Sequence, residues 1–217
     1  MISLLLFDLD GTLADSRRDL ALAVNRALAT FGAPALEDAV ILPFIGFGAS
    51  HLVRASLRAA GCADVGLADA MPVFTRLYRE NLLVHTTLYP GVAETLPQLR
   101  GIPKVVITNK PNDLSEAVLE GLGIRSHFDM VLGGDALAEM KPSALPLQHA
   151  MKAFGAAPRD TVMVGDLMVD LEAARAAGTW SCAALYGFMD AAALLAGAPD
   201  YSMTEFRELP GILAGIS

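Results

Sequence analysis

The chain has 217 residues, 53% hydrophobic and 18% charged, which is ample apolar material for a sizeable core and argues against disorder. Its net charge of −8 excludes generic nucleic-acid binding through a phosphate-neutralising surface, while leaving room for a local positive site that takes a small anion. Mean hydropathy is +0.45, yet the N-terminal apolar run Leu4–Phe7 is cut by Asp8 and Asp10. A spanning helix needs about 20 apolar residues and a signal peptide needs a basic start, so a cytoplasmic protein without a membrane partner is expected.

In chain order, Ile2–Leu9 reads as a first buried strand. The stretch from Ser16 to about Tyr89 shows no convincing strand, and Leu20, Val24, Leu28 and Phe31 recur at helical spacing, followed by helical patterns at Ser50–Ala60 and Asp69–Val84. Strands are expected at Lys104–Thr108, Met130–Leu132, Thr161–Val164 and Ser181–Leu185. Helices Asp113–Leu122 and Ala144–Phe154 lie between them, each stopped by a glycine. The alternation predicts an α/β fold, a Rossmann-like parallel sheet with helices on both faces. The helical stretch becomes an inserted unit over residues 16–87, and residues 1–15 and 88–217 form the core. Cys62 and Cys182 lie far apart without metal-ligand spacing, and His51, His85, His127 and His149 fit no metal pattern either.

Chemistry concentrates at the predicted strand ends. Asp8 closes the first strand and Asp10 opens the turn that Gly11 permits. Two carboxylates crowded at such an edge repel each other and lose solvation unless a cation lies between them, and oxygen ligands without His or Cys suit Mg²⁺. Thr108 and Asn109 end a strand where a hydroxyl and successive amides can bind phosphate oxygens. Lys141, followed by Pro142, offers an ammonium to offset anionic charge. Asp166 leaves the Thr161–Val164 strand, and Asp170 falls four residues on, on the same face of the helix that starts there.

Together, DLDGTLADS, Thr108-Asn109, Lys141-Pro142 and VGDLMVD resemble, in order, the four signatures of the haloacid dehalogenase superfamily of phosphohydrolases, over nearly the whole chain. The resemblance implies that Asp8 is a nucleophile forming an aspartyl-phosphate. Asp10 is then the general acid/base, ligating metal through its backbone carbonyl and keeping its side chain free. Gly11, Thr108, Asn109 and Lys141 would bind the phosphoryl group; Asp8, Asp10 and Asp166 would hold Mg²⁺; Asp170 would orient Lys141 or a metal-bound water. Ala144 stands where the family often has a second proline, and Leu167 where it often has Ser or Thr.

An insert between the first and second signatures resembles the helical C1-type caps, and the FIGFGAS loop and YPGV segment are most similar to phosphoglycolate phosphatases. Gly46, Phe47 and Gly48 are then candidates for substrate selection, and Arg54 fits either a substrate carboxylate or a solvated helix face. The partner implied is a small phosphorylated metabolite, and the protein a monomer or homodimer. Relatives on this framework also hydrolyse N-acetylmuramic acid 6-phosphate, sugar phosphates or pyrophosphate. A β-phosphoglucomutase-like transferase is weakened by Val169 preceding Asp170, dehalogenation by the presence of Asp10, and a non-catalytic binding protein by the completeness of the four signatures.

Overall fold

The computed structural model describes residues 1–216. The expected α/β architecture is present. Six parallel strands, β1 (Leu4–Phe7), β2 (Lys104–Ile107), β3 (Met130–Leu132), β4 (Thr161–Gly165), β5 (Trp180–Ala184) and β6 (Tyr201–Met203), are ordered β3-β2-β1-β4-β5-β6. All four residues of β1 are fully buried, as a strand covered on both faces requires, so it reads as a continuous apolar run rather than an alternating one. Truncating any of its leucines to alanine is expected to cost about 2–5 kcal/mol.

The first strand is shorter than Ile2–Leu9 for a local reason. The Leu9 carbonyl accepts from the amides of Thr12, Leu13 and Ala14, at 3.3, 3.0 and 3.0 Å, so the backbone curls out of the ladder just beyond Asp8. The β6 strand was not anticipated. It has three residues, too few to display a period, and it pairs only with β5 at the sheet edge.

Two compact units are present, one comprising Met1–Asp15 with Leu88–Ser217 and the other Ser16–Thr87. Within the second, three principal helices are α1 (Arg17–Thr30), α2 (Ala49–Ala59) and α3 (Leu67–Glu80). Phe74 and Tyr78 of α3, one turn apart and nearly fully buried, stack with ring centroids 5.8 Å apart. Asp19 of α1, also buried, accepts hydrogen bonds from the His85 and Thr86 amides and the Thr86 hydroxyl, tying the end of the unit to its beginning. α3 stops at Glu80 rather than running to Val84: Asn81 caps its end, and its side-chain amide donates to the Leu77 carbonyl. A two-residue strand at Thr87–Leu88 follows, again too short to read from sequence.

In the sheet unit the main helices are α4 (Asn112–Gly121), α5 (Leu145–Phe154) and α6 (Met168–Ala177). Leu147, Ala150 and Met151 of α5 and Ala173, Ala174 and Ala177 of α6 pack into one buried cluster with Leu4, Leu6, Val105 and Met163 of the sheet. The many alanines let helix and sheet approach closely. Among the described residues no helix is long and apolar enough to cross a membrane.

Candidate active site

Three adjacent strands define the site. β1 lies between β2 and β4, all parallel, and the first residues past their carboxyl ends are Asp8, Thr108 and Asp166. Strands spaced about 4.8 Å apart place such residues within one small-molecule width of each other. The carboxyl edge of an open parallel sheet is also where α/β folds take their ligands.

Lys141 ties the centre together. Its Nζ donates to Asp8 Oδ1 and to Asp170 Oδ1, both at 2.7 Å, with all three side chains buried. The other oxygen of Asp170 accepts from the Leu167 amide at 3.0 Å, so one carboxylate both caps the start of α6 and fixes the lysine. Asn109 adds a second brace: its side-chain amide donates to the Lys141 carbonyl at 2.9 Å, holding the loop that carries the lysine. Thr108 is buried, and its hydroxyl oxygen accepts from the Lys110 amide at 3.2 Å, which leaves the O–H as a donor.

Ligand oxygens of Asp8, Asp166 and Asp170 all lie within 4.8 Å of one another, a buried acidic group able to bind a metal ion. Asp166 is held on both oxygens, by the Thr12 hydroxyl at 2.9 Å and the Phe188 amide at 2.8 Å. The Tyr186 hydroxyl in turn donates to the Thr12 carbonyl at 2.9 Å; burial and then the charge of Asp166 raise its pKa, so it stays a neutral donor. The Phe188 contact escapes sequence reading, because a backbone amide leaves no residue signature. Gly187 is the one available hint: a Cβ there would overlap the Asp166 side chain.

The side chain of Asp10, expected to stay off the metal, is ion-paired with Lys110, whose Nζ lies 2.9 and 2.8 Å from its two oxygens. Lys110 was not among the residues singled out in the sequence. A lysine directly after Thr-Asn at a strand end was the signal available.

Four buried carboxylates, Asp8, Asp10, Asp166 and Asp170, thus share the site with the ammonium groups of Lys110 and Lys141. Burial raises the Asp8 carboxyl to about 6 despite Lys141, and burial together with Asp8 and Asp170 raises Asp166 well above the ordinary range. Burial alone would lower the Lys141 ammonium, but Asp170 and Asp8 outweigh it and hold it above its ordinary value. The all-oxygen donor set of Asp8, Asp166 and Asp170 fits a hard divalent cation. Gly11, with φ +97°, makes room for that set, since a Cβ on it would overlap Asp166 Oδ2. Gly11→Ala is therefore expected to displace Asp166 and weaken divalent-metal affinity about 10–100-fold, measured by calorimetric titration of the folded variant.

The remaining candidates belong to the helical unit. Gly46 and Gly48 have φ of +95° and +87°, so the loop before α2 adopts a backbone closed to most other residues. Between them Phe47 is 41% exposed and packs on His51, with centroids 5.2 Å apart, and Arg54 is exposed on α2.

Residues 5–184 match the family model of haloacid dehalogenase-like hydrolases. The chain belongs to that family. A phosphoglycolate phosphatase of Chromobacterium violaceum is 42% identical over 208 residues, covering 94% of both proteins, and one of Colwellia psychrerythraea is 37% identical over 212 residues with the same coverage. A crystal structure from Haemophilus somnus, described as a predicted phosphoglycolate phosphatase, superposes with a TM-score of 0.92 at 33% identity, covering 97% of each chain. Within this haloacid dehalogenase-like hydrolase, the strand-end acids and Lys141 occupy the buried edge just described.

Proposed function

We propose that this chain is a Mg²⁺-dependent phosphoric monoester hydrolase working through an aspartyl-phosphate at Asp8, with 2-phosphoglycolate as its preferred ester. The observation that carries the reading is the buried cluster in which Lys141 joins Asp8 to Asp170 beside Asp166. The substrate rests on near-full-length similarity to phosphoglycolate phosphatases.

Asp8 offers its carboxylate to phosphorus as the ester bond breaks, and the departing oxygen takes a proton from Asp10. Asp10 then accepts a proton from the water that attacks the phosphorus of the acyl phosphate, and the carboxylate of Asp8 is restored as inorganic phosphate leaves. Thr108 donates its hydroxyl to a phosphoryl oxygen, and Lys141 compensates charge on nucleophile and phosphate together. Asp8, Asp166 and the backbone of Asp10 would hold Mg²⁺, which supplies the positive field that lets a carboxylate approach an anionic phosphate. Without such a field Asp8 is only a buried acid facing repulsion.

Purified protein assayed against phosphoglycolate, hexose phosphates, N-acetylmuramic acid 6-phosphate, nucleotides and pyrophosphate tests the assignment. The expected result is Mg²⁺-dependent release with kcat/KM for phosphoglycolate at least about tenfold above every other ester, the selectivity that about 1.4 kcal/mol of differential transition-state binding gives. Higher kcat/KM for a sugar phosphate would overturn the substrate while leaving the chemistry in place.

A further inference from the structure

We infer that Lys110 is a positioning residue for Asp10, keeping the acid/base carboxylate off the metal and turned toward the departing oxygen; this rests on the phosphatase reading above. A carboxylate beside a divalent cation is drawn into direct coordination, and an acid engaged in that way no longer shuttles protons. The site contains four buried acids, and the structure sorts them. Asp8, Asp166 and Asp170 converge and are held by Lys141, Thr12 and the Phe188 amide. Asp10 stands outside that group and has both oxygens on Lys110.

The lysine is itself anchored. Its amide donates to Thr108 Oγ1 at 3.2 Å, and its carbonyl accepts from the Gly134 amide at 2.8 Å. Gly134 packs so closely on Asn109 that a Cβ there would overlap the Asn109 carbonyl oxygen, so the turn 109–112 is backed by the segment after β3. Side chains 4% and 11% exposed leave water little access to compete for the pair. Residues 100 positions apart thus meet because β1 and β2 are neighbours and each turns out of the sheet at the same edge.

In the first half-reaction the Asp8 oxygen–phosphorus bond forms and the ester oxygen–phosphorus bond breaks. The electron pair goes to the leaving oxygen, and the proton of Asp10 follows it. In the second, a water oxygen bonds to phosphorus, its proton goes to Asp10, and the pair of the breaking bond returns to Asp8. Lys110 gains and loses no proton; it fixes where Asp10 stands in both.

The test is a leaving-group series, from p-nitrophenyl phosphate to simple alkyl phosphates, with Mg²⁺ saturating, on wild type, Lys110→Met, Asp10→Asn and the double variant. Lys110→Met is expected to lose about 10²-fold or more in kcat/KM on alkyl phosphates and markedly less on p-nitrophenyl phosphate, whose departing oxygen needs little protonation. Calorimetric Mg²⁺ affinity of Lys110→Met is expected to stay within about threefold of wild type or to rise. On the Asp10→Asn background the lysine substitution should cost nothing further, because it acts through the acid. The double variant removes both charges of the pair, so it reports even if Lys110→Met alone does not fold. An equal loss across the series, or a further loss on the Asp10→Asn background, would overturn the inference. So would a defect confined to KM for esters bearing a carboxylate, which would make Lys110 a substrate ligand instead. A wild type that turns over no member of the series overturns the phosphatase reading itself.

Discussion

Asp8→Asn is expected to lower kcat for phosphate release by at least about 10⁴-fold, the scale seen when a nucleophile working in a concerted unit is removed. The same substitution is expected to stabilise the metal-free protein above pH 6. Burial raises the Asp8 carboxyl from 3.8 to about 6, so the folded state binds that proton more tightly than the unfolded chain does. The contribution of this group to stability is therefore fully present below about pH 4 and is lost as pH rises through about 6. Asparagine carries no charge to desolvate and escapes that loss. Thermal melts of metal-free wild type across this window should show Tm falling by a few degrees as pH rises, and Asp8→Asn should flatten the change. Activity and stability thus move in opposite directions at one residue, as expected where function places like charges together. Equal Tm profiles for the two proteins would remove the electrostatic account of Asp8.

Lys141→Met is expected to be the most damaging single change to stability, with a large loss of activity beside it. The lysine is 2% exposed and is the ammonium that both Asp8 and Asp170 contact at 2.7 Å. Removing it leaves those acids buried without that partner, beside Asp166. Breaking a buried pair in this way costs about 3–5 kcal/mol, and here two pairs share the lysine. For a chain of this size the loss corresponds to a fall in Tm of about ten degrees. kcat should fall about 10²–10³-fold or more, since a charge aimed at the reacting group is lost. Lys141→Arg is expected to restore little, because a planar fork does not fit a position shaped for a point charge between two carboxylates. Denaturant titration of the metal-free variant checks the first part and single-turnover kinetics the second. Wild-type stability in Lys141→Met would show that the two contacts are energetically idle.

Much of the sheet was legible because its central strands are fully buried, and buried parallel strands write themselves as apolar runs such as LLLF and TVMV. An acid directly after such a run can only stand at the sheet edge, which is why Asp8 and Asp166 were visible. What stayed hidden shares one property: the partner is distant in sequence and is a group of no diagnostic type. Nothing near Asp10 points to Lys110, a hundred residues away, and nothing in Asn109 shows that its amide reaches the Lys141 carbonyl. The Phe188 amide on Asp166 belongs to the backbone, for which side-chain identity is nearly irrelevant. Helix ends were legible where a glycine closes them, as Gly155 does after α5 in the left-handed conformation, and less so at α3, where Asn81 closes the helix and no glycine marks its end.

The central claim is that the carboxylate of Asp8 becomes covalently phosphorylated, and chemical trapping tests it most directly. Protein turning over acetyl phosphate or p-nitrophenyl phosphate with Mg²⁺ is quenched with borohydride, which reduces an acyl phosphate to the alcohol, and digested peptides are read by mass spectrometry. Conversion of residue 8 to homoserine, dependent on both substrate and Mg²⁺ and absent at Asp10, Asp166 and Asp170, is the predicted result. Reduction at one of those other acids, with residue 8 unchanged, would contradict the account.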